Sequence, residues 1–502
     1  MIAMEPTTAS AETNHEITSE TDVYAVHGAD PEVLAYAMAK YSRSALSMKE
    51  SLREISSQKA EQFLNTFYFQ YGHRSIADLA HLAFAIEKLS LLAAIELVDE
   101  QRWDGQERST RYQNFKKSGC YTPAFAGDAA EKAAYTAEID ALMAAYEKIS
   151  VGAFEYLKGK IARPEVMAQD AFERTVKARA FDVARYLLPL AANTSLGQIV
   201  NARTLETQVS RLLSSPFAEV RLLGEKLKAA AAGTAWNPHG SDREVHVAPT
   251  LVKYATPNAY EIESRKSLAQ AAAELMAGAE IASAPLVDLV EPDAGAAGLE
   301  IDLATSVLYP HCHYSFRQLR YAVQSLDAAR RTELIELAVA HRGRHDELAR
   351  TFSAGQTLRF DILMDVGGFR DMHRHRKCIQ LRQSYTTAHG YDLPEYAEEA
   401  GLASEYRAAM DRACAASDRI AAGGDAADAQ YLLPLGVRCR SMFKMDFAEA
   451  VYIADLRSQP QGHFSYRRVA WEMYQAVKRQ YPALQGLFHV TDIDAPIDLL
   501  KR

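Results

Sequence analysis

The sequence predicts a helix-rich α+β protein built from two similar tandem units. Three observations carry that expectation: 502 residues exceed what one hydrophobic core organises, a short motif recurs with similar surroundings, and helical periodicity outweighs strand-like alternation. The motif is YLLPL, found in ARYLLPL at 184–190 and in AQYLLPL at 429–435, with Tyr186 and Tyr431 standing 245 residues apart. Each copy leads into an amphipathic stretch, NARTLETQVSRLL or DFAEAVYIADLR. A second helical pattern follows each, AEVRLLGEKLKAAAAG or SYRRVAWEMYQAVKRQY.

In chain order, residues 1–20 have neither a basic nor an apolar leader region and read as a disordered polar tail. The first unit is expected over 21–235. Its strand candidates are DVYAVHG near 22–28 and LAFAIEKL near 82–89, although the second fits a helix equally well. A helical run and then an arginine-bearing polar segment, LAFAIEKLSLLAAIELVDEQRWDGQERSTRY, precede the first YLLPL. The stretch 236–265, rich in Pro, Gly, Asn and Asp, reads as a linker. Ala-rich sequence over 266–285 opens the second unit, 266–502, where LRFDILMDVGGFRDMHRHRKCIQLRQSYT precedes the second YLLPL.

Composition narrows function without naming it. The 48% apolar and 24% charged residues suit a soluble globular protein, and a net charge of −9 disfavours nucleic acid as a broad-surface partner. Five scattered cysteines without a CxxC pair point to a reducing cytoplasm. No apolar run is long enough to predict a membrane span. Against this acidic background, Arg370, Arg374, Arg376 and Lys377 crowd around a single acid, Asp371. Such a cluster suits an anionic ligand, and a solvated helix face is the other reading. The arginines argue against a metal on His373, His375 and Cys378, and HCH at 311–313 lacks further ligands nearby.

RHRKCIQLRQS, with Arg374, His375, Arg376 and Ser384 seven residues on, resembles the RHRx7S signature of the flavin-dependent thymidylate synthases (ThyX family). GHRSIAD at 72–78, QERSTRY at 106–112, and ARYLLPL followed by NAR at 201–203 resemble other elements of that family in its order. The resemblance spans roughly 20–225 and 305–485. It implies two tandem ThyX-like domains, each with a small, mostly antiparallel sheet.

The two halves depart from the family pattern in complementary ways. The first has Asp99, Glu100 and Gln101 where the signature has Arg, His and Arg. A carboxylate about 4 Å from a phosphate costs on the order of 4 kcal/mol at an effective dielectric near 20. The first half keeps Glu107, Ser109 and Arg111, resembling residues for the nucleotide's sugar and phosphate. The second half keeps RHR but has Arg382 and Thr386 in place of Glu107 and Arg111. Arg185, matching a nucleotide-contacting arginine, has Gln430 as its counterpart. Asn201, Arg203 and Glu219 match flavin-contacting positions, against Asp446, Ala448 and Ser465. Arg457 falls in register with the arginine lying against the pyrimidine, whereas Arg211 sits one residue, about 100° of helix, out of step.

The resemblance implies FAD as cofactor, dUMP as substrate, and NADPH and methylenetetrahydrofolate as co-substrates in reductive methylation to dTMP. It assigns FAD to Arg374, His375, Arg376, Ser384, Asn201, Arg203, Glu219, His73, Ser75 and Asp78. His73, Ser75 and Asp78 also fit an ordinary helix start. Glu107, Ser109 and Arg111 would bind dUMP, with Arg185 and Arg457 both binding it and stabilising charge on the ring. No cysteine is assigned as nucleophile. The resemblance further implies a homotetramer with sites between subunits, which a homodimer of this chain would imitate, with composite sites pairing the first half's nucleotide residues with the second half's flavin grip. A same-fold flavoenzyme for another pyrimidine nucleotide or one-carbon donor, and a non-catalytic flavin- or nucleotide-binding protein, stand as alternatives.

Overall fold

The run read as helical before each YLLPL divides into a strand and a short helix. In the first half the strand is β1 (His81–Ser90) and the helix α1 (Leu91–Leu97), with Ser90 capping α1 by accepting from the Ala93 N–H at 2.9 Å. The computed structural model of the protein describes residues 28–40, 48–54, 74–125, 128–236, 244–290, 296–309, 312, 314–340, 342, 346 and 348–500. The tail at 1–20 and the strand expected at 22–28, Gly28 apart, lie outside these residues. LAFAIEKL is strand because its backbone is claimed by β3 (Asn193–Asn201), in a register running from His81↔Asn201 to Ser90↔Asn193. Lys88, at φ 59°, marks the bulge where that register shifts.

β2 (Asp104–Glu107) pairs with the other edge of β3, giving an antiparallel sheet of order β1-β3-β2. Helices α2 (Ala129–Lys160) and α3 (Gln169–Ala184) lead back to the first YLLPL. After β3 come α4 (Ala202–Leu213), capped by Asn201 through the Thr204 N–H at 2.8 Å, and α5 (Ala218–Ala232). The apolar spacing that predicts helices at these places is realised, because Leu205, Val209 and Leu212 point into the core.

The second half repeats the order. β4 (Val287–Leu289), β5 (Leu358–Asp365), β6 (Ile379–Arg382) and β7 (Arg438–Met445) form an antiparallel sheet of order β4-β5-β7-β6. β5 runs into α6 (Val366–Met372), capped by Asp365 through the Gly368 N–H at 2.7 Å. Then come α7 (Ala403–Ala422), the second YLLPL, β7, α8 (Phe447–Arg457), capped by Asp446, and α9 (Phe464–Gln480). Within the stretch expected as a linker, Val247, Ala248, Leu251 and Val252 are buried, and the Ala255 carbonyl accepts from Lys228 Nζ on α5 at 2.6 Å.

The two YLLPL segments clasp each other. The Leu190 N–H donates to the Leu433 carbonyl at 3.0 Å and the Leu435 N–H to Leu188 at 2.9 Å. Next to these, the Ala191 N–H donates to Tyr431 and the Gly436 N–H to Tyr186, each at 2.9 Å. Each bond has a mate with the halves exchanged, which is the signature of a pseudo-two-fold axis. Each contributes on the order of 0.5–1.5 kcal/mol. Gly436 is required by the closeness of this join, since a Cβ there would overlap the Tyr406 hydroxyl and press on Tyr186.

Candidate functional site

The loop after α6 carries RHR across the pseudo-two-fold onto the first half. Arg376 Nη1 donates to the Val98 carbonyl at 2.5 Å, and its guanidinium lies 5.0 Å from the centre of the Trp103 ring. A cavity of about 500 Å³ opens beside it, bounded by His373, His375 and Arg376 of the second half and by Arg203, Thr204 and Arg211 on α4 of the first. A second cavity, of about 230 Å³, shares His373 and Arg376 and adds Glu107, Arg370 and Arg374. Arg376 thus forms part of the wall between two spaces.

Beside these cavities lies a partly buried arginine cluster drawn from both halves. Arg185, 1% exposed, donates from Nη1 to Asp371 Oδ2 at 3.0 Å. Arg111 binds Asp182 with two nitrogens, at 2.7 and 3.1 Å, and reaches Tyr466 Oη at 2.8 Å. Arg370 Nη2 donates to Glu107 Oε1 at 2.5 Å. Arg457 Nε donates to His375 Nε2 at 2.8 Å, which leaves the neutral imidazole proton on Nδ1, 3.5 Å from Glu449. Arg111 and Arg457 both lie over the Tyr466 ring.

Charges follow from this packing. Burial works to raise the Asp371 carboxyl, but Arg185, Arg111, Arg374 and Arg457 outweigh it and hold it well below the usual carboxylate range. His373 is lowered to about 4, chiefly by burial, so it stays neutral although Asp99 stands 3.7 Å away. His375 is likewise lowered by burial, with Glu449 opposing. Burial pushes the Cys378 thiol up to about 12, far from a nucleophilic thiolate. Glu100 is raised by burial despite Arg211, which it accepts from at 2.9 and 3.1 Å.

The expected residues divide into groups. His375, Arg376 and Arg203 meet at the larger cavity, with Asp78 held by Arg203 at 3.1 Å. Arg111, Arg185, Arg374 and Arg457 converge on Asp371, although of these only Arg374 lines either cavity. Ser109 Oγ accepts from the Arg111 N–H at 3.2 Å. Asn201 is occupied as a helix cap, and Glu219 accepts from the Ser90 backbone N–H at 2.9 Å and hydroxyl at 2.6 Å, bracing α5 to α1. Ser384 is exposed. His73 lies outside the described residues, as does the Ser75 side chain within its short 3-10 helix.

The structure adds Asp182, Glu449 and Tyr466 to the site. Asp182 stands one helical turn before Arg185, a spacing that could have flagged it. Tyr466 meets Arg111 from 355 residues away and leaves no local signal. Among the described residues there is neither a cluster of side chains able to hold a metal nor a helix long and apolar enough to cross a membrane.

Comparison with known proteins follows the same division. A family model described as thymidylate synthase complementing protein matches residues 25–234 and 304–483, once in each half. A UPF0159 protein of Chlamydia pneumoniae is 28% identical over 97% of this chain and 94% of its own length. A UPF0159 protein of Thermoplasma acidophilum is 25% identical over 92% of this chain and 96% of its own length. A flavin-dependent thymidylate synthase of Clostridium tetani is 25% identical over 46% of this chain but 84% of its own length, so one unit there makes up most of a protein.

Proposed function

This chain belongs to the thymidylate synthase complementing protein family, and we propose that it is an FAD-dependent enzyme converting dUMP to dTMP with methylenetetrahydrofolate and NADPH. One observation carries the proposal: arginines from both halves converge on Asp371, among them Arg111, Arg185 and Arg457, which resemble the family's nucleotide contacts. Arg111, Arg185, Arg370, Arg374 and Arg457, set against Asp182, Asp371, Glu107 and Glu449, leave an excess of about one positive charge, which attracts the roughly −1.5 to −2 of a phosphate monoester.

The larger cavity lies within the range of about 300–1,000 Å³ typical of small-molecule sites and offers a flavin cofactor Arg203, His375 and Arg376, although Asp99, Glu100 and Glu261 share its lining. Bound FAD supplies the reducing chemistry. The chain's own groups do the rest. Arg111, fixed by Asp182, and Ser109 anchor the phosphate and so align the distant ring. Arg185 and Arg457 stabilise charge growing on the ring oxygens, and the burial of Arg185 keeps competing water from it. Arg376 holds the flavin side of the wall. The working assembly is a cytoplasmic homodimer with composite sites.

Asp371 favours a second reading, a same-fold flavoenzyme for another pyrimidine nucleotide or one-carbon donor, since it places a carboxylate among the nucleotide arginines. Purified protein should be yellow and should form dTMP only when dUMP, methylenetetrahydrofolate and NADPH are all present. Flavin without dTMP formation would favour the second reading, and colourless protein would remove both.

A further inference from the structure

We propose that Asp371 is a resident anion: it occupies the arginine cluster in the ligand-free protein, and an incoming phosphate monoester displaces it, so the site rejects small anions that bring no base contacts. The inference rests on the reading of that cluster as the phosphate site.

Arg185 is the anchor. Its Nη1 is bound to Asp371, but Nε and Nη2, fully buried, meet no hydrogen-bond partner among the described residues. Buried guanidinium donors are rarely left so, and both remain able to donate to an acceptor from outside the chain. Asp371 supplies one carboxylate to a site where the charges of Arg185, Arg111, Arg374 and Arg457 all act. It neutralises the nearest arginine while leaving the excess charge that draws a dianion. Its side chain is 15% exposed, on the last turn of α6, and its neighbours Arg370 and Arg374 both line the 230 Å³ cavity.

The opposite side of the pseudo-two-fold shows what the device is not. There Glu96 stands at the place matching Asp371 and pairs with Arg382. The places matching Arg111, Arg185 and Arg374 hold Thr386, Gln430 and Asp99. That acid serves only to close a salt bridge, because no arginine cluster is left for it to guard. Asp371 keeps its acid beside an intact cluster, which makes the acid a competitor of the ligand.

Isothermal titration of the full chain with orthophosphate and with dUMP, for wild type and Asp371→Asn, tests this. Wild type should bind dUMP but orthophosphate only weakly. Asp371→Asn should bind orthophosphate at least about tenfold more tightly, since a like charge within a few ångströms of the ligand has gone. Asp371→Glu should stay weak. If the amide variant unfolds in phosphate-free buffer, added orthophosphate must restore the fold, and a chain that remains unfolded overturns the inference. Equal or weaker orthophosphate binding by Asp371→Asn, with dUMP binding by wild type intact, overturns the inference and leaves the function standing. Failure of every variant to bind either ligand removes both.

Discussion

Two matching regions face each other across the pseudo-two-fold, and they have diverged in opposite directions. On one side Arg111, Arg185, Arg374 and Arg457 surround Asp371, and neutral His375 accepts a hydrogen bond from Arg457 without cancelling its charge. On the other side Glu100 stands where His375 does and ties up Arg211, while Arg382 is tied up by Glu96. Both regions are well packed, so the second is not a ruin. The difference lies in the balance of charge: Arg211 and Arg382 are each matched by a glutamate on the second side, whereas on the first four arginines act on the single carboxylate of Asp371.

The largest expected effect separates the two regions directly. Arg111→Ala and Arg185→Ala should each lower initial rates of dTMP formation by about 10²–10³-fold. Thr386→Ala and Gln430→Ala, at the matching places, should leave the rate within about twofold. Comparable losses on both sides would mean two working sites per chain.

A smaller effect concerns the cofactor. Absorbance should give one flavin per chain, and Arg376→Ala should weaken flavin retention by about 10- to 100-fold, the worth of a hydrogen bond to a charged group. Two flavins per chain would break the comparison, and full occupancy in Arg376→Ala would sink the assignment of RHR.

The smallest effect lies in the braces that hold the two halves' helices. In the first half, Glu219 accepts from the Ser90 hydroxyl; in the second, Asp365 accepts from the Ser465 hydroxyl, so donor and acceptor have changed places. Burial, helped by Asp392, pushes Asp365 up to about 6, against about 3.9 for an unfolded Asp. Between those values the folded chain holds a proton that the unfolded chain has lost. This carboxyl's contribution is therefore full below pH about 4 and declines through about 6, by on the order of 2–3 kcal/mol. Urea midpoints measured from pH 4 to 7 should show that decline in wild type and a flatter profile in Asp365→Asn. Identical profiles would mean the carboxyl titrates normally.

Much of this was legible in the residues. The repeat announced two units, and the helices at 202–213, 218–232, 447–457 and 464–480 followed from their apolar period. LAFAIEKLSLLAAIELV was harder, since an unbroken apolar run suits a buried strand and a buried helix alike, and only pairing with β3 settled where one ends. Glu219 and Asn201 match ligand-contacting positions in sequence, yet here they are spent on a brace and a cap, uses that depend on Ser90 and the Thr204 N–H lying within reach.

By itself the sequence determined the family, the duplication, and which half retains which charged groups, because these are matters of residue identity and order. Only the tertiary structure decided which of those charges remain available. That depends on distances between residues hundreds of positions apart, as where Arg111 meets Tyr466 and Arg185 meets Asp371. Electrostatic energy falls with separation in space and takes no account of separation along the chain.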